Sequence, residues 1–156
     1  MTTNSSDIFD LFLTRISDYR LYAIDETSGS LALSIYLEPW LLSSIIDFDV
    51  CDQDLTYTSS TISSEGYFAE TLTLKNKIVL SQLMVKYWLE KEVQDILQMQ
   101  LFITDHDFKT HAASQNLKAK QDYYNSKKEE LSQILVDYGY RVNDWTGWKN
   151  QNFDGS

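Results

Sequence analysis

The sequence predicts a mainly α protein: a single-domain helical bundle around a long central helix, with a β-hairpin insertion. Three observations predict it. From Ile78 to Leu89 only Ser81, Gln82 and Lys86 are clearly polar, and they fall within one arc of the helical wheel, so this helix is apolar over most of its circumference and buried on several sides. Leu117, Tyr124, Leu131 and Tyr138 recur every seven residues in an otherwise polar stretch, which marks a one-sided amphipathic helix. Hydroxyl and β-branched residues gather from Leu55 to Ile62, Ser63-Ser64-Glu65-Gly66 reads as a turn, and Tyr67 to Thr71 reads as a returning strand.

The elements follow in order. Ser5 or Ser6 is a good N-cap, with Asp7 in the first turn of an opening helix. Ile8, Phe12, Ile16 and Tyr19 share one face of it, with Phe9 and Leu13 beside them. Gly29-Ser30 opens a second helix with an apolar stripe of Leu31, Ile35, Leu42 and Ile46. Pro39 lacks a backbone donor and restricts Glu38, so a bend or two short helices meeting at Glu38-Pro39 are expected. A hairpin over about 55–71 comes next, with an exposed loop as the alternative. Thr73 caps the longest helix, the central pillar, which continues through Val93, Ile96 and Leu97 towards Phe102. The link Thr104-Asp105-His106-Asp107 leads to the heptad helix, where Ile134 and Leu135 join the apolar side and Gly139 suits a C-terminal stop. The helical domain therefore spans 1–140, and an aromatic tail spans 141–156. That tail holds Trp145, Trp148 and Phe153, whose apolar area is costly in water, so it folds back on the domain or docks on another chain.

A chain of 156 residues with a hydrophobic fraction of 43% is long and apolar enough to bury a core unaided. The lone Cys51 cannot form an internal disulfide and reads as a small buried side chain in a reducing compartment. No basic-then-apolar leader opens the sequence, and no apolar run reaches the roughly 20 residues that span a bilayer. A cytoplasmic product is expected. Charge is uneven: residues 1–70 carry two basic and twelve acidic residues, a net of −10, whereas residues 71–156 carry eleven of each. Phosphate would be repelled by the first half, which argues against nucleic-acid affinity there.

Candidate chemistry is sparse. Asp105, His106, Asp107 and His111 lack the three or four convergent ligands of a zinc site, and a capping aspartate with ordinary histidines accounts for them. Asp47, Asp49, Asp52 and Asp54 fail the spacing of a calcium loop: counted from Asp47, position five is Cys51 and position twelve is Thr58. A loop of solvated carboxylates is the expectation. Lys118, Lys120, Lys127 and Lys128 flank Tyr123 and Tyr124, but Asp122, Glu129 and Glu130 cancel most of their field. No phosphate-binding glycine pattern or nucleophile elbow is present. The reading is non-enzymatic, with no cofactor and no metal.

The block Leu80 to Leu89, then Asp107-Phe108-Lys109 with Ala112-Ala113, then the Tyr123 to Tyr140 helix ending in Tyr138-Gly139-Tyr140, is similar to small virion proteins of tailed bacteriophages. Among these it most resembles the head–tail connector (adaptor, or neck) family. The likeness follows the order of elements over about residues 30–140 and extends to individual residues only in the stretches just quoted. It implies a structural protein of the virion, assembled in the host cytoplasm. Such a protein forms a homo-oligomeric ring, usually of twelve copies, beneath the portal protein and bridges it to the next neck or tail ring. DNA would pass through the lumen without specific binding, flanked by the acidic half, and no membrane partner is implied. The partner-binding residues expected are Trp145, Trp148 and Phe153 in the tail and Tyr57 and Tyr67 in the hairpin. A cytoplasmic accessory protein binding a host target, another virion ring such as a tail-completion or terminator component, and a small enzyme whose site leaves no motif are the alternatives.

Overall fold

A computed structural model describes residues 2–16, 18–102 and 110–142. Among them are five helices and a small sheet: β1 (Thr3–Asn4), α1 (Ser6–Leu13), α2 (Tyr19–Ser28), α3 (Ser30–Asp47), β2 (Tyr57–Thr58), β3 (Tyr67–Phe68), α4 (Leu74–Phe102) and α5 (Thr110–Val142). The mainly α bundle with a hairpin insertion is what forms.

α4 is the pillar. Val79, Leu80, Leu83, Met84, Val85 and Leu89 are buried along it, and it packs against α1, α3 and α5. Its start is set as expected, with the Asn76 N–H donating to Thr73 Oγ1 at 3.3 Å and the Lys77 N–H to the Thr73 carbonyl at 3.0 Å. Of the three polar residues in the apolar run, Ser81 is fully buried, and its hydroxyl is satisfied by the Ile78 carbonyl at 2.8 Å. On α5, Leu131 and Tyr138 are buried and Leu117 and Tyr124 are half-buried, so the seven-residue period does trace the packed side. The helix does not stop at Gly139 but runs to Val142, because that glycine keeps a helical backbone; among the described residues only Gly29 has positive φ.

The opening helix is shorter than its apolar face. Ile8, Phe9 and Phe12 are buried on α1, but the helix ends at Leu13, where the Thr14 hydroxyl bonds the Leu11 carbonyl at 2.8 Å. Asp18 then takes an extended backbone and accepts from the Arg20 N–H at 3.0 Å, which starts α2 and assigns Tyr19 to a different helix. Gly29 joins α2 to α3 with φ 84° and ψ 164°, a region open essentially to glycine alone.

α3 is one helix that runs through Pro39, not two meeting there. Its buried side is Leu33, Leu37 and Leu41, interleaved with Ser34, Glu38 and Ser44. The expected stripe is turned outward: Ile35, Leu42 and Ile46 are exposed. The helix has two apolar stripes, and the one containing serines packs inward. Ser34 and Ser44 are small enough for close approach and return their hydroxyls to the Ser30 and Trp40 carbonyls at 3.0 and 2.7 Å.

The sheet order is β1-β3-β2, all antiparallel, with Tyr57 and Thr3 both opposite Phe68, and Thr58 and Asn4 both opposite Tyr67. The hairpin thus gains a third strand from the beginning of the described chain, and fully buried Phe68 carries the sheet onto the core.

Proline inside α3 removes one backbone bond from an exposed turn, so Pro39→Ala should raise unfolding free energy by about 1–2 kcal/mol. Urea denaturation monitored by circular dichroism checks this, with an unchanged m-value expected.

Candidate interaction surface

The hairpin is built as a rigid projection. At its apex the Thr61 N–H donates to the Ser64 carbonyl at 2.8 Å, and the Ser63 and Ser64 N–H groups donate to Thr61 Oγ1 at 3.4 and 3.1 Å. Below the apex, Ser60 Oγ accepts from the Gly66 N–H at 3.0 Å, and the Ser60 N–H reaches Glu38 Oε1 on α3 at 2.8 Å. Glu65 turns to the other side, where its carboxylate accepts from the Ser6 N–H and from Ser5 Oγ and so caps α1. This replaces the self-capping expected of Ser5, whose side chain makes no cap bond. Gly66 must lack a side chain here, because a Cβ would lie 2.0 Å from Tyr57 Oη and 2.9 Å from the Thr58 carbonyl. Ile62 stands on this scaffold at 93% exposure. Among the described residues it is the most exposed of the large apolar side chains.

A second apolar surface lies on α3. The only charged residues of that helix are Glu38, buried against Ser60, and Asp47. Burial opposes ionisation of Asp47, but hydrogen bonds from Lys86 Nζ at 2.6 Å and Tyr87 Oη at 2.7 Å outweigh it and hold the carboxyl below its ordinary range. The outward side therefore carries Ile35, Pro39, Leu42 and Ile46 without a charge, with Ile46 at 78% exposure.

Behind both surfaces, one polar cluster joins three segments. Tyr138 on α5 is buried, with its ring edge-on to Phe48 at 4.9 Å and under Lys75 Nζ at 3.9 Å. Its hydroxyl donates to Asp52 Oδ1, lies 2.8 Å from Asn76 Oδ1 and accepts from the Asp52 N–H at 3.3 Å. Fully buried Asn76 on α4 donates to Asp52 Oδ1 at 3.0 Å and to Gln53 Oε1 at 2.8 Å. Gln53 in turn accepts from the Thr73 N–H at 2.7 Å and donates to the Thr71 carbonyl at 3.1 Å. Hydrogen bonds from Tyr138 and Asn76 depress the Asp52 carboxyl, while burial and then the Asp52 carboxylate push the Tyr138 phenol far above the ordinary tyrosine range.

The residues singled out from sequence have different fates. Tyr67 is exposed, opposite Thr58 and Asn4. Tyr57 is half-buried: its ring packs on Phe68 at 4.9 Å, and its hydroxyl is sealed among Ser5, Ser60 and Glu38 with no partner in hydrogen-bond geometry among the described residues. Trp145, Trp148 and Phe153, and also Asp105, His106 and Asp107, lie outside the described residues. The acidic run is not simply a loop of solvated carboxylates. Asp47 and Asp52 are bonded as above, and Asp54 caps Thr56, accepting from its N–H at 2.9 Å and its hydroxyl at 2.7 Å; Asp49 is exposed. Cys51 is half-buried against the core, and burial raises its thiol pKa. Among the described residues no cluster of three or more His, Cys, Asp or Glu is arranged to hold a metal, and no helix is long and apolar enough to cross a membrane. A depression of about 520 Å³ is lined, among the described residues, by α5 alone, from Asn125 to Val136.

Ile62 and the outer face of α3 were missed as surfaces. The signal for Ile62 was a lone aliphatic beside Ser63-Ser64; for α3 it was the presence of two competing apolar stripes. Comparison with protein-family models, curated proteins and solved structures finds no match to this chain.

Tyr138→Phe leaves Asp52 and buried Asn76 short of a partner and should cost about 1–3 kcal/mol of stability. The pH dependence has a definite sign. The depressed Asp52 carboxyl contributes stability above its unfolded value near 4 that is lost as pH falls through the lower folded value. The raised Tyr138 phenol gives stability present below about pH 10 and lost as pH climbs towards the folded value. Urea titrations from pH 2 to 11 should show both limbs flattened in Tyr138→Phe.

Proposed function

We propose that this chain is a structural, non-enzymatic assembly protein, a head–tail connector of a tailed bacteriophage. In this reading it forms a ring beneath the portal and bridges it to the next neck or tail component. The observation that carries the reading is the hairpin: a turn bonded to itself, pinned to α1 through Glu65 and to α3 through Glu38, presenting Ile62 to solvent. Such a projection places one apolar anchor on an adjoining molecule with little ordering cost, because the turn is already formed. The resemblance of the Leu80–Leu89 block and of the Tyr123–Tyr140 helix supplies the identity of that molecule, portal or tail ring. The tail with Trp145, Trp148 and Phe153 is a second anchor in this scheme. Exposed carboxylates of the first half, Asp10, Asp25, Glu26, Asp49 and Glu70, supply the negative field past which DNA moves without adhering.

The chain, tagged in its native source, should co-purify with portal and tail proteins at many copies per particle, measured by quantitative mass spectrometry. Ile62→Asp should reduce that recovery at least tenfold with the melting temperature of the isolated chain unchanged. Recovery of a single host protein at equal stoichiometry would reject the connector reading in favour of an accessory protein.

A further inference from the structure

We propose that the outward face of α3 is a self-association surface on which two copies of this chain pair, α3 against α3, antiparallel. Half-buried Leu31 and exposed Ile35, Leu42 and Ile46 occupy an arc of about 60° on the helical wheel, with Pro39 about 20° beyond Ile46. Their intervals are four, seven and four residues, so the stripe reads the same in either direction. A second copy laid antiparallel therefore sets Leu31 against Ile46 and Ile35 against Leu42, with the two Pro39 residues near the dyad. Apolar residue meets apolar residue along the whole helix, which has 18 residues and is about 27 Å long.

Charge selects the occupant. The chain carries a net −10, all of it in residues 1–70, so two copies repel wherever carboxylates face each other. α3 is the long helix of that half that offers none outward: Glu38 is bonded to Ser60, and Asp47 is neutralised by Lys86. At the flank of the stripe Lys91 Nζ donates to Tyr36 Oη at 2.8 Å, so the charge beside this face is positive and a second acidic copy can approach. The antiparallel direction also opposes the two helix dipoles, which a parallel pair would align. The stripe, even with exposed Tyr36 at its flank, falls short of the roughly 800 Å² per partner of stable complexes, so the pair should dissociate on the order of micromolar or weaker. This contact is isologous and lies beyond the connector reading, since a ring closes through heterologous contacts.

Sedimentation velocity on the purified full chain, from about 1 to 500 µM, should show a monomer–dimer equilibrium across this range of expected affinity. Leu42→Glu and Ile46→Glu should each weaken it at least tenfold without altering helicity or melting temperature. In a Cys51→Ala background, mixing Ile35→Cys with Leu42→Cys chains should give a mixed disulfide dimer under mild oxidation. A monomer throughout the range, a dimer insensitive to both glutamates, or efficient cross-linking of Ile35→Cys to itself would each overturn the proposal. Co-purification with portal and tail proteins decides the connector reading separately, and either can fail without the other.

Discussion

Buried Asn76 in the first turn of α4 is the constraint on which the rest of the structure depends. A fully buried amide must have its donors and acceptors matched. The match comes from Asp52 and Gln53 in the loop after α3 and from Tyr138 near the end of α5. Three segments distant in sequence are thereby fixed at one point, and apolar packing alone would leave their register loose. The hydrophobic core supplies most of the driving force, but it is non-directional. Asn76 supplies the direction.

A similar division runs along α4. Its apolar sides bind α1, α3 and α5, while its few charged groups work at the edges. Lys77 meets Asp7 at 2.6 Å, Lys86 meets Asp47, and Glu92 joins Arg20 to Lys120. Trp88 Nε1 also donates to Asp18 Oδ2 at 3.2 Å, so the residue that starts α2 is tied to the pillar. Two carboxylates of residues 1–70, Asp7 and Asp47, are thus answered by lysines of the second half, and Asp18 by Arg20. These pairs soften the imbalance between the halves locally, while the chain keeps its net charge of −10.

The class of the fold, the pillar and its cap at Thr73, the hairpin and the heptad face of α5 were legible because each rests on a local period or a local turn. What was not legible depended on competition. α3 has two apolar stripes, and the choice between them lay in small serines whose value shows only against a neighbouring helix. The break after Leu13 depended on the Thr14 hydroxyl and on Asp18 as a cap, neither of which disturbs the apolar spacing of Ile8, Phe12 and Ile16. Glu65 capping α1 and β1 joining the hairpin are pairings over about 60 residues, which no window of sequence exposes. The Asp47–Asp54 run was read as solvated because its partners, Lys86, Asn76 and Tyr138, are equally remote. Of the hairpin residues, Tyr67 was singled out and is exposed, Ile62 was overlooked, and the tail residues lie outside the described residues.

The order β1-β3-β2 also bears on how the chain reaches this state. α2 and α3, like α4 and α5, are sequence neighbours that pack together, so their contacts form with short loop closure. Thr3 must instead find Phe68, and Glu65 must find Ser6, across nearly half the chain. Such closure carries an entropic cost before any contact rewards it. Loop-closure entropy alone thus favours early pairing of the helices and late closure of the sheet. The hairpin that presents Ile62 is, in kinetic terms, a late seal: it becomes a rigid projection only after the bundle beneath it is complete.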